Sequence, residues 1–167
     1  MGLETVHPEA LDRLHKRMSI EAFRGAAGHL SELGVAVRVF LLVSPPFVPR
    51  EQQDEWLLRS IDVALTCRAS AISLIPTRSG NGAMEALAGA GSFLRPQLAD
   101  LERSLSMALA RVTGSGTRVF ADLWDLAVFA DCRHCLEARR SRLHAMNLEQ
   151  RAQPPVGCTH CEGGGCR

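Results

Sequence analysis

Three apolar runs rich in β-branched residues, Val35–Val43, Ala71–Ile75 and Thr117–Leu123, recur along the chain with stretches of helical spacing between them. That alternation constrains the fold more than any other feature. Val35–Val43 is interrupted only by Arg38 and is stopped by Pro45-Pro46. Such a run reads as a strand covered on both faces, as in a parallel sheet. Ala71–Ile75 closes at Pro76 and the turn-rich stretch Thr77–Gly82, and Met1–Thr5 reads as the end of a further strand. Between the strands, Leu11 and Leu14 stand three apart after His7-Pro8. Ser19 reads as the N-cap of a helix that carries Ile20, Phe23, Ala27 and Leu30 on one face and stops at Gly34. Helical stretches over Gln52–Ala69, Ala83–Ala88 and Pro96–Val112 complete the pattern. Strands and helices in alternation predict an α/β fold with parallel strands. The expectation is a partial (β/α) parallel barrel of about four strands over residues 1–123, followed by a helical Cys-rich tail over 124–167. A first strand that opens in its last residues also suggests a half-barrel lying before it.

Composition narrows the function. The 167 residues suit one domain, and 46% hydrophobic with 22% charged residues is ordinary globular usage. Lys+Arg of 19 against Asp+Glu of 18 leaves a net charge of +1, which excludes a polybasic module that holds nucleic acid by phosphate contacts alone. The longest unbroken apolar runs, such as Val39–Val43, fall far short of the roughly 20 residues a transmembrane helix needs. With no basic-then-apolar leader at the N-terminus, the expected location is the cytoplasm.

Of six cysteines, Cys67 sits in a helical stretch and reads as a core thiol, whereas the other five crowd into the tail. Cys132-x2-Cys135-x22-Cys158-x2-Cys161 places two C-x-x-C knuckles on either side of a helix-length spacer. Reduced compartments disfavour disulfides, and paired knuckles suit tetrahedral zinc. The spacer of 22 slightly exceeds the usual range of about 15–20. An auxiliary iron–sulfur cluster and unligated redox thiols are the alternatives, with His134, His160 and Cys166 as substitutes or bystanders. An energetic argument points the same way. From Cys132 onward the tail has only Leu136, Leu143, Met146, Leu148 and Val156 as sizeable apolar groups, too few to order it without a metal. Ordered, it is expected to pack against the strand near Val119 and to cover that end of the sheet. His7, His15, His29 and His144 show no catalytic spacing and read as surface or capping residues.

The loop Ile75–Gly82, followed by a helix, has the glycines of a close backbone approach, and Arg78 offers it a planar donor fork. It lacks the lysine and spacing of a P-loop, and a tight strand-to-helix turn explains it equally well.

Four segments in order, Gly2-Leu-Glu-Thr-Val6, Leu14-His-Lys-Arg-Met18, Phe40-Leu-Leu-Val-Ser-Pro-Pro-Phe47 and Leu74-Ile-Pro-Thr-Arg-Ser-Gly-Asn-Gly-Ala-Met84, resemble the C-terminal half of a radical SAM protein. The likeness is to microbial members of the group that includes the catalytic subunit of Elongator and archaeal tRNA-modifying relatives. The C-x-x-x-C-x-x-C loop that holds the [4Fe-4S] cluster in that family is not found in the sequence, nor is the glycine-rich strand end that grips the methionine amine. The resemblance implies S-adenosylmethionine (SAM) as cofactor, with the cluster on a separate N-terminal half and tRNA as a candidate substrate. It further implies that Glu4, with Thr5 beside it, accepts from ribose hydroxyls. Arg17 would clamp the SAM carboxylate, and Leu42, Val43 and Ser44 would form a shelf under adenine. The chain alone is expected to lack catalysis and to self-associate through its uncovered barrel surfaces. A zinc-stapled interaction module without chemistry is the alternative from another class.

Overall fold

A computed structural model describes residues 1–15, 17–80 and 82–162; Cys166 and the Gly163–Gly165 run lie outside the described residues. Four strands, β1 (Gly2–Glu4), β2 (Arg38–Val43), β3 (Ala71–Pro76) and β4 (Arg118–Ala121), form one sheet in the order β1-β2-β3-β4, every pair parallel. Register runs Gly2 to Phe40 to Ser73 to Phe120 across the sheet. Helices α1 (Pro8–Arg13) and α2 (Ile20–Glu32) join β1 to β2, and α3 (Gln53–Thr66) joins β2 to β3. Helices α4 (Ala83–Gly89) and α5 (Leu98–Arg111) lead to β4, after which come α6 (Leu136–Glu149) and the single turn α7 (Thr159–Glu162). Among the described residues no helix is long and apolar enough to cross a membrane.

The local signals act as the chemistry requires. Ser19 caps α2 by accepting the Ala22 amide at 3.1 Å, and His7 does the same for α1 through Nδ1 and the Ala10 amide at 3.2 Å. Gly34, at φ 71°, ends the turn after α2. Asp100 accepts the Gln97 amide at 2.8 Å and so closes the first turn of α5.

Consecutive parallel strands joined by right-handed crossovers place all their helices on one side. Accordingly Val39, Leu41 and Val43 of β2, Ile72 and Leu74 of β3, and Val119 and Ala121 of β4 pack with Phe23, Ala27, Ile61, Ala64, Leu101 and Leu105 of the helices in one core. Leu126, Phe129, Leu143 and Met146, from beyond β4, belong to that same core. The opposite face carries Arg38, Phe40 and Leu42, then Ser73 and Ile75, then Arg118 and Phe120. Phe40 there is 38% exposed. Coverage of β2 on both faces, expected from its continuous apolar run, is therefore corrected: the run supplies an apolar second face, and the described residues place no element on it.

Candidate metal centre and the carboxyl edge of the sheet

Both knuckles occupy helix starts. Cys135 precedes α6 and its carbonyl accepts the Arg139 amide at 2.9 Å, while the Cys161 amide donates to the Cys158 carbonyl at 3.0 Å. The spacer α6 then folds back so that equivalent residues of the two knuckles meet. Cys132 Sγ lies 3.9 Å from Cys158 Sγ, Cys135 Sγ lies 3.8 Å from Cys161 Sγ, and the rings of His134 and His160 stack with centroids 3.8 Å apart. All four sulfurs fall within 4.8 Å of one another. Four sulfurs at about 2.3 Å from one tetrahedral ion stand about 3.8 Å apart, so the set fits a single metal ion. A cubane cluster, with a separate iron behind each thiolate, needs its cysteines spread wider. Without a cation the site disfavours charge: burial, followed by hydrogen bonds with Cys132, Cys161 and Cys158, pushes the Cys135 thiol up to about 12. The four-cysteine set is thus one that can hold a metal ion.

Helix α6 is fixed along its length by more than the knuckles. Glu102 of α5 lies between Arg139, at 2.6 Å, and Arg142, at 3.2 Å, with all three side chains largely buried. Leu143 and Met146 enter the core, whereas Leu148 remains 64% exposed. At the far end, Gln150 donates to the Val119 carbonyl at 2.8 Å and accepts the Val119 amide at 2.7 Å. Asn147 donates to the Ala121 carbonyl at 2.9 Å and accepts the Ala121 amide at 2.8 Å. Two side-chain amides therefore take the place of a fifth strand. The tail meets the sheet near Val119, as expected, but the contact is made by polar residues to which the apolar pattern gives no weight. Their signal was the three-residue spacing that puts two amides on one helix face.

At the carboxyl edge, Glu4 ends β1 and Ser44 follows β2 with φ of 66° and 54°, left-handed values that non-glycine residues adopt at a cost. Both are partly exposed, as is Leu42 on the open face. Thr5 and Val43 are buried; the Thr5 hydroxyl accepts the His7 amide at 3.2 Å. Behind them Ser60 accepts the Val6 amide at 3.0 Å and donates to the Trp56 carbonyl at 2.7 Å, beside a cavity of about 10 Å³. Arg17 is exposed between α1 and α2. Arg78 turns inward: it donates to Asp122 at 3.3 Å and to the Trp124 carbonyl, and its guanidinium lies over the Trp124 ring at 4.6 Å. It ties the β3 loop to the end of β4. Cys67 is half-buried at the end of α3, its thiol raised by desolvation.

No family model matches this chain, and no curated protein matches it.

Proposed function

We propose that the chain is a metal-stapled sector of a (β/α) barrel that serves as the C-terminal part of a radical SAM-type protein, with zinc at Cys132, Cys135, Cys158 and Cys161. One observation carries the reading: four parallel strands stand in chain order, with the packed core on one face and the other face open. A doubly wound sheet reverses its strand order and covers both faces, whereas a barrel sector does neither. In such folds the ligand sits at the carboxyl ends of the strands, where Glu4, Leu42 and Ser44 are partly exposed. SAM bound there would supply radical chemistry under reducing conditions, and this chain's part would be to bind and orient it. Glu4 would accept from the ribose hydroxyls, Arg17 would pair with the carboxylate, and Leu42 and Ser44 would lie against the adenine. Thr5 and Val43 brace that edge from the core side. The substrate class to try first is tRNA, by kinship of the resemblance.

The test joins the chain to a half that carries C-x-x-x-C-x-x-C and measures 5′-deoxyadenosine release under reducing conditions. Cleavage is expected from the joined protein and none from the chain alone. Glu4→Gln and Arg17→Ala are each expected to weaken SAM binding by roughly tenfold or more, the scale of one charge-assisted hydrogen bond. A joined protein that cleaves SAM with unchanged affinity in both variants overturns these assignments, and one that folds yet never cleaves SAM overturns the function.

The second reading is a zinc-stapled interaction module without catalysis. It is favoured by the single-ion spacing of the sulfurs and the amide contacts to β4, both of which stand without a second half.

A further inference from the structure

Strand β4 is the last strand of the sheet, and its outer edge is held by side chains rather than by a strand. The backbone groups of Val119 and Ala121 point outward and are bonded by Gln150 and Asn147. Both amides belong to the end of α6 or its cap, so they stay in place only while the helix does. The helix starts at Cys135 and the chain returns to Cys158 and Cys161, so the four-cysteine centre closes the loop that pins it.

We propose that the β4 edge is a metal-gated interface for a second copy of this chain: with the amides withdrawn, β4 pairs antiparallel with β4 of the copy across a two-fold axis. Symmetry imposes the direction, because a two-fold relation between identical strands is antiparallel. The outward groups impose the register. Val119 and Ala121 are the residues whose N–H and C=O face the edge, so Val119 of each chain pairs with Ala121 of the other. Phe120 then faces Phe120, and Arg118 faces Asp122. Asp122 still lies on the ladder, its amide donating to the Leu74 carbonyl at 2.9 Å. Aromatic and opposite-charge pairs directly across a sheet are the favourable ones. Among the described residues Arg118 forms no ion pair; its guanidinium lies over the Phe120 ring at 5.1 Å, and its one side-chain hydrogen bond, 3.5 Å to the Leu148 carbonyl, is lost if α6 leaves. Asp122 already receives Arg78 at 3.3 Å, so Arg118 would join an existing acceptor. Shifting the register to set Arg118 against Arg118 would oppose like charges and leave Ala121 without a partner in β4.

The inference rests on the reading that a metal holds the tail, and the test separates the two. Sedimentation velocity is run on the full chain under reducing conditions. The variant Asn147→Ala with Gln150→Ala, its zinc content and helix content matching the wild type, is expected to dimerise at least tenfold more tightly than the zinc-loaded wild type. Gln150→Glu, similar in size but unable to donate to the Val119 carbonyl when ionised, is expected to shift the same way. Adding Arg118→Asp sets two Asp–Asp pairs opposite each other and is expected to restore the wild-type behaviour. Chelated wild type is expected to follow the double variant. Zinc-loaded clamp variants that sediment like wild type, or a dimer that survives Arg118→Asp, would overturn the interface. Dimerisation of the clamp variants without dimerisation of the chelated wild type would overturn the metal's control of the tail and leave the interface standing.

Discussion

Single polar residues decide where this sheet starts and stops. Ser60, buried in α3, holds the Val6 amide at the exit of β1 while its own hydroxyl donates one turn back to Trp56. Removing the hydroxyl leaves a buried N–H without its acceptor, which costs about 1–3 kcal/mol. Ser60→Ala is therefore expected to lower the unfolding free energy from denaturant titration by that amount and to speed exchange of the Val6 amide, with the β4 amides unaffected. Equal acceleration across the whole sheet would show that Ser60 has no local role. Ser60 was not legible in sequence, and the Asn147–Gln150 pair left only its three-residue spacing, because a serine or amide in or at the end of a helix more often faces water. The helix caps at His7 and Ser19 were legible, since a cap depends only on the residues of its own turn.

At the scale of elements, α6 is the informative one. Its apolar content is low: Leu143 and Met146 enter the core, and Leu136 packs at its margin. Packing alone gives such a helix little, so its place depends on Glu102 between two arginines and on the cysteine centre. One zinc per chain is expected by elemental analysis of protein purified without added metal. In Cys132→Ser with Cys158→Ser, zinc and the protease resistance of the tail should be lost together. A metal-free chain with a resistant tail would sink the structural role, and iron with visible absorbance would assign a cluster instead. The knuckles and their helical spacer could be read from spacing. Their cross-pairing, Cys132 with Cys158 and Cys135 with Cys161, could not, because it depends on where α6 turns back.

For the whole molecule, metal and proton should act in opposite directions. In the metal-free chain burial raises Cys135 to about 12, whereas an unfolded cysteine ionises near about 8.5. The folded state then binds more protons than the unfolded one across that interval, so stability falls as pH rises from about 8.5 toward 12. In the metal-loaded chain the sulfurs are held as thiolates, protons compete with the ion, and stability falls as pH drops. Denaturant midpoints should fall for the loaded protein as pH drops below about 8.5, and for the chelated protein as pH rises above it. Parallel slopes would mean that the cysteines carry no metal.

The sequence by itself determined the order of strands and helices, the parallel sense of the sheet and the candidate ligands of the centre. These follow from periodicity, short connections and ligand spacing, all of which are local in the chain. The tertiary structure alone decided on which face of the sheet the described helices pack, that Arg78 turns inward to Asp122, and that a helix far along the chain closes the β4 edge. Each of these depends on contacts between residues distant in sequence. An apolar run signals that its side chains prefer burial, but not what arrives to bury them.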